Sequence, residues 1–128
     1  MHYEITFRED ASLFSVRASG RATVAGFEAY LNETLEHPSW RPGMDLLADL
    51  RELETDAFSG DDVRSVVDLY RRASEQLGNG RCAVVMSKLA SFGLARMWEL
   101  YSKDTIGLRV GVFRSIDEAR EWLESERS

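Results

Sequence analysis

The sequence predicts one α/β domain with a mixed five-stranded sheet, in the element order β-β-α-β-α-β-α-β-α. Three observations predict it. The chain opens with two segments of alternating apolar and polar residues, apolar strand-like and amphipathic helix-like segments then alternate to its end, and capping motifs mark two helix starts. Strands that are separated by helices run parallel through right-handed crossovers, whereas a hairpin is antiparallel. The sheet is therefore mixed.

Composition limits both the size and the class of the protein. With 128 residues, the chain is expected to form a single domain over 1–128 with a sizeable core. Its one cysteine, Cys82, excludes an internal disulfide and fits a reducing cytoplasm. No apolar run approaches the ~20 residues of a membrane helix, so we expect a cytoplasmic protein without membrane insertion. The net charge of -6 argues against nucleic acid as a partner.

The predicted hairpin lies in the first part of the chain. Apolar residues occupy every second position in two segments: Tyr3, Ile5 and Phe7, then Phe14, Val16 and Ala18. This is the period of a strand with one solvent-exposed face. Gly20 ends the second strand.

A helix and a buried strand come next. Thr23 is suited to cap a helix that ends at His37-Pro38, because the residue before a proline avoids helical geometry. The mostly apolar run from Met44 to Leu50 is typical of a strand that is covered on both faces. We expect this strand to be central in the sheet.

The rest of the chain repeats this order of helix and strand twice and then ends with a further helix. Ser59 and Asp62 form a capping box for a helix that ends at Gly78, and a buried-type strand runs from Cys82 to Met86. The third helix is expected to begin at Ser87 or Ser91. An edge strand from Leu108 to Phe113 precedes the last helix, where Ser115 and Glu118 form another capping box.

Several short motifs resemble those of a known family. They are the strand end from Leu47 to Leu50, the helix start Ser59-Gly60, and the segment from Val112 to Ala119 with Trp122-Leu123. With the order of elements, they are similar to the SpoIIAA-like, or STAS-like, domains, whose superfamily includes the Sec14/CRAL-TRIO lipid-transfer domains. The resemblance implies a β-α superhelix with strands in sequential order, and a bacterial protein.

The resemblance also implies a role for Ser59. In the anti-sigma-factor antagonists of the family, an Asp-Ser-Ser-Gly sequence opens this helix, and its second Ser is phosphorylated by a partner kinase. The corresponding segment here is Ala57-Phe58-Ser59-Gly60, which keeps the Ser-Gly pair and lacks the Asp and the first Ser. A Ser at this position is already explained by the unpaired amides of the first helical turn. We therefore favour the interpretation of Ser59 as a helix cap over its interpretation as a phospho-acceptor.

Carboxylates cluster near the predicted end of the third strand. Ligands of open parallel sheets bind beyond the carboxyl ends of the strands, which makes Asp49 and Asp56 the candidates for a polar site or pocket there. Asp61 and Asp62 suit the helix dipole without any ligand. No spacing matches a metal loop, a phosphate loop or a catalytic triad, so the sequence predicts no catalytic residue, no metal and no cofactor.

The third helix carries more apolar side chains than one core-facing stripe needs. The additional side chains can belong to the core, to a dimer interface or to a pocket for a lipid-like ligand. Met97, Trp98 and Tyr101 are the candidates for an interface. The resulting prediction is a non-enzymatic protein-interaction or regulatory domain, associated as a homodimer. The alternative is a small carrier of an apolar, lipid-like ligand, by analogy with the Sec14 branch, and an enzyme that uses Asp49 ranks third.

Overall fold

The computed structural model describes residues 1–103 and 107–125. The five strands are β1 (His2–Arg8), β2 (Leu13–Arg21), β3 (Asp45–Glu54), β4 (Arg81–Val85) and β5 (Arg109–Phe113). The five helices are α1 (Val24–Glu36), α2 (Gly60–Arg72), α3 (Ser74–Leu77), α4 (Leu89–Ser102) and α5 (Ile116–Glu124). A single 3₁₀ turn, Glu9–Ala11, joins β1 to β2.

The sheet has the order β1-β2-β3-β4-β5, which follows the chain. Strands β1 and β2 are antiparallel, and every later pair is parallel. The predicted fold class, the mixed sheet and the central position of β3 are therefore confirmed. Strand β5 is an edge strand, as its alternation predicted.

The two faces of the sheet carry unequal cores. Helices α1, α2 and α4 pack on one face, and buried residues such as Phe14, Leu53 and Tyr70 form a large cluster there. Helix α5 alone packs on the other face through Ala119 and Leu123. The β1–β2 hairpin contributes Leu13 to this smaller cluster, and its other residues on the α5 side, such as Thr6, Ser15 and Arg17, are polar.

Some predicted boundaries are wrong. Strand β3 continues four residues beyond Leu50 to Glu54, because its pairing with β2 resumes after a register shift between Arg17 and Ser19. Helix α4 begins at neither predicted serine: its N-cap is Lys88, which makes no side-chain capping bond. The helix predicted to end at Gly78 is divided into α2 and the short α3.

A buried arginine holds the end of α5 against the sheet. Arg81 is only 4 % exposed, and its Nη1 donates to the carbonyl oxygen of Trp122 and, at 2.7 Å, to Ser125 Oγ. The Arg81 backbone N–H donates to Asp45 Oδ1 at 3.0 Å. The bond to Trp122 adds a charged donor to a carbonyl group in the last turn of α5, and the bond to Asp45 joins the start of β4 to the start of β3.

Candidate functional site

The four helices that follow β2, β3, β4 and β5 all begin at the carboxyl edge of the parallel strands. At this edge the Thr55 and Ser91 hydroxyl oxygens lie 2.6 Å apart, which joins the loop after β3 to the first turn of α4. Ser91 is buried. The sequence predicts Ser87 or Ser91 at the start of the third helix, whereas in the structure the Ser91 hydroxyl connects two elements.

Ser59 has the capping role predicted for it. Its Oγ accepts from the Asp62 N–H at 3.1 Å, and Asp62 Oδ2 accepts from the Ser59 N–H at 2.9 Å, so both bonds of the capping box are present. In α5, Ser115 Oγ likewise accepts from the Glu118 N–H, at 3.2 Å. The expectation that Ser59 carries no phosphate stays a prediction.

The glycine that follows Ser59 lies close to α4. A Cβ atom added to Gly60 would lie 2.9 Å from the terminal methyl carbon of Met97, so that methyl group would have to shift. Because it is the far end of a flexible side chain, this contact does not by itself require a glycine. In the Ser-Gly pair that resembles the family's phosphorylation sequence, capping therefore accounts for Ser59.

Asp49 does not lie at the end of β3, which corrects its predicted position. The strand continues five residues beyond it, and its side chain lies on the α5 side of the sheet beside Arg51. Arg51 donates to both carboxylate oxygens, from Nε at 2.8 Å and from Nη2 at 2.9 Å. These bonds hold the pKa of Asp49 below its usual value. Asp56 lies in the turn after β3 and lines no part of the cleft around Asp49.

A polar cleft of about 500 Å³ lies between α5 and the uncovered face of the sheet. It is lined by Asp49, Arg51, Ser115, Ile116, Asp117 and Arg120, so its wall carries two carboxylates and two guanidinium groups. Such a mixed lining favours neither an anion nor a cation. Among residues 1–103 and 107–125, no group of three or more His, Cys, Asp or Glu side chains is placed to hold a metal ion.

Trp98 belongs to the core, which corrects its placement at a surface interface. It is 5 % exposed, and its ring packs edge-on against Tyr70 with the ring centroids 5.2 Å apart. Met97 and Tyr101 are half-buried, and the Arg64 guanidinium lies over the Tyr101 ring at 5.2 Å. The exposed apolar side chains of α4 are instead Leu89, at 78 %, and Leu100, at 64 %.

A groove of about 600 Å³ runs along the outer side of β5, and we call it the β5 groove. Its lining comes from the end of α4, the start of β5 and the end of α5: Glu99, Leu100, Ser102, Lys103, Leu108, Arg109, Val110 and Trp122. The sequence predicts the edge strand and the apolar excess of α4, but it does not place Leu100 and Trp122 in one groove. No local pattern brings these two positions together.

An apolar cavity of about 30 Å³ lies between the sheet and helices α1, α2 and α4. Thr55 is the one hydroxyl side chain among the residues that line it: Ala22, Phe27, Leu50, Thr55, Phe58, Val63, Val66, Val84, Met86, Leu94, Ala95 and Trp98. The volume suits one or two water molecules. As the cavity stands, it has no room for an acyl chain, so it does not favour a lipid-like ligand.

Cys82 is a buried free thiol at the start of β4. Burial raises its pKa to about 12. Because the thiolate is the reactive form of cysteine, this side chain is unreactive at neutral pH. Its interpretation as a small buried hydrophobic residue agrees with this environment.

The fold and its surfaces define a small α/β domain with a sequentially ordered mixed sheet, and comparison with known proteins gives the family. The chain belongs to the SpoIIAA-like family, whose model matches residues 13–124. A search of curated proteins found no match. Among solved structures, the chain is similar to an uncharacterized protein of the DUF3478 family with a SpoIIAA-like fold from Shewanella loihica PV-4. The two chains are 18 % identical with a TM-score of 0.61, over 95 % of this chain and 92 % of that one.

Within the described part of the chain, no helix is both long and apolar enough to cross a membrane.

Proposed function

We propose that this SpoIIAA-like chain is a non-enzymatic protein-interaction domain of the bacterial cytoplasm that associates with a second copy of itself through the outer edge of β5. The observation that carries the proposal is the β5 groove, in which an edge strand lies beside the exposed Leu100 side chain. Edge strands present backbone groups that can pair with another chain. The family resemblance and the free thiol of Cys82 support the compartment.

The backbone of β5 determines how a second copy would bind. Arg109 N–H donates to Gly80 O at 2.9 Å, and Phe113 O accepts from Met86 N–H at 3.0 Å, so these residues direct their backbone groups towards β4. Successive residues of a strand alternate between its two edges. Val110 and Val112 therefore present their N–H and C=O groups to the open edge.

Because of this alternation, the open edge of β5 can pair with the same edge of a second copy. An antiparallel pair with its two-fold axis at Gly111 places Val110 opposite Val112 of the second copy, and each such pair exchanges two hydrogen bonds. Gly111 then faces Gly111 of the second copy at the narrow, non-hydrogen-bonded position. Leu100 lines the same groove and would lose its exposed apolar surface on association.

Two exposed leucines on α4 allow a matched test by sedimentation velocity. Leu100→Glu places a charge in the β5 groove, whereas Leu89→Glu places the same charge at the other end of the helix. We expect a dimer for the wild type, a dissociation constant raised about tenfold or more in Leu100→Glu, equivalent to ~1.4 kcal/mol, and little change in Leu89→Glu. A wild type that stays monomeric at about millimolar concentration, or equal effects of the two substitutions, would contradict the proposal.

A further inference from the structure

We propose that the polar cleft between α5 and the sheet binds a small zwitterion, a molecule with one carboxylate and one ammonium group such as an amino acid. Arg120 would bind the carboxylate, and Asp117 would bind the ammonium group. The cleft and the β5 groove have different lining residues, so this proposal goes beyond self-association and does not depend on it.

The first observation is that the charges of the cleft are balanced. Its wall carries two carboxylates and two guanidinium groups, and polar atoms make up most of it. A ligand with a single charge would meet groups of its own sign in this cleft as well as groups of the opposite sign. A molecule that carries both charges can instead place each of them beside an opposite charge.

The second observation is that only half of these charges are already paired. Arg51 binds both carboxylate oxygens of Asp49. Asp117 and Arg120, in contrast, form no ion pair and no side-chain hydrogen bond with any residue in the described part of the chain. They stand at positions i and i+3 of α5, where side chains are neighbours on the helix surface. One cation and one anion in the same cleft can therefore receive a ligand.

The third observation concerns the groups around these two charges. Ser115 Oγ accepts from the Glu118 N–H at 3.2 Å, which leaves the hydroxyl proton of Ser115 to donate to a carboxylate in the cleft. Ile116 supplies an apolar contact for the carbon chain between the two charges. The cleft of about 500 Å³ lies within the range of ~300–1,000 Å³ that is typical of small-molecule sites, so it admits such a ligand as it stands.

NMR titration with ω-amino acids tests this site, because the length of their carbon chain sets the distance between the two charges. The probes are glycine, β-alanine, 4-aminobutanoate and 6-aminohexanoate. The amide signals of Ser115, Ile116 and Asp117 in ¹⁵N-labelled protein report on the cleft. We expect at least one probe to shift these signals in a saturable manner, with a dissociation constant of about 1–10 mM. Analogues of that probe that lack the ammonium or the carboxylate group should bind about fivefold more weakly, as expected for the loss of one exposed ion pair.

Two substitutions assign the two charges of the probe. Arg120→Gln should remove the advantage of the zwitterion over the analogue that lacks the carboxylate. Asp117→Asn should remove its advantage over the analogue that lacks the ammonium group. Both side chains are exposed, so we expect these variants to fold like the wild type. Glu121→Gln is the matched control, because Glu121 is exposed on the same helix but does not line the cleft.

Three results would overturn the proposal. They are the absence of a saturable shift with every probe, single-charge analogues that bind as tightly as the zwitterion, and a Glu121→Gln variant that weakens binding as much as the other two substitutions. Leu100→Glu, which tests the β5 groove, should leave binding of the zwitterion unchanged. The two proposals can therefore fail independently of each other.

Discussion

The hydroxyl oxygens of Tyr30 and Tyr70 lie 3.2 Å apart inside the core, where they connect α1 to α2. Burial raises the pKa of both side chains above the usual value for tyrosine, so both hydroxyls are neutral. Each serves as the hydrogen-bond partner of the other. Removal of one therefore leaves the second buried without that partner.

Substitution of the two tyrosines tests whether their effects on the free energy of unfolding are non-additive. We expect Tyr30→Phe and Tyr70→Phe each to lower the free energy of unfolding by about 1–2 kcal/mol, mostly through the hydroxyl left behind. The double variant should cost clearly less than the sum of the two, because it leaves no buried hydroxyl there. Urea unfolding of the four proteins measures this, and additive costs would contradict the account.

Ser59 offers a test of helix capping. Ser59→Ala should lower the free energy of unfolding by about 1 kcal/mol, and Ser59→Asp should restore most of the loss, since Asp is also a good N-cap residue. Ser115→Ala is the matched control, because Ser115 caps α5 with the same bond. Thermal unfolding would argue against a capping role if Ser59→Ala were as stable as the wild type while Ser115→Ala was not.

Phosphorylation of Ser59 is a separate question. A phosphate on Ser59 would gain from the helix dipole but would lie close to Asp61 and Asp62 in the first turn of α2. We therefore expect protein isolated from its host to carry no phosphate there, and Ser59→Asp to associate like the wild type. A stoichiometric phosphate that maps to Ser59 by mass spectrometry, together with altered association of Ser59→Asp, would restore the phosphorylation switch.

Cys82 makes stability depend on alkaline pH. Its pKa is about 12 in the folded protein and 9.0 in an unperturbed thiol, so the unfolded state releases the proton first as the pH rises. The contribution of Cys82 is complete below pH 9.0 and is lost progressively above it, at about 1.4 kcal/mol per pH unit. Cys82→Ala should therefore lose less stability between pH 8 and 10 than the wild type, by roughly this amount. If denaturant titrations showed that the wild type and Cys82→Ala lose the same free energy of unfolding over this pH range, the pKa of Cys82 would not be raised in the folded protein.

Capping residues and prolines act within a few residues, and they correctly predicted where some helices begin and end. The Thr23 cap and Pro38 correctly bounded α1, and the Ser59 box correctly began α2. The end of β3 could not be predicted in this way, because Arg51 and Glu52 interrupt its apolar run. Long-range pairing with β2 extends that strand, and such pairing leaves no mark on the local sequence.

The candidate surfaces were predictable only in part. The sequence shows that α4 has more apolar residues than a core-facing stripe needs, but it does not show which of them face the core. In the structure, Trp98 faces the core and Leu100 faces the β5 groove. Which side of such a helix is buried depends on the neighbouring elements and not on the helix itself. The apolar residues of the groove come from the end of α4, the start of β5 and the end of α5, so no single motif contains them.

Amide hydrogen exchange at the edge of β5 tests the central proposal most directly. The N–H groups of Val110 and Val112 point away from β4, and pairing with a second copy would give both an acceptor. We predict that their exchange slows as protein concentration rises, and that Leu100→Glu removes this protection whereas Leu89→Glu retains it. Exchange that stays fast and independent of concentration in the wild type would contradict association through β5.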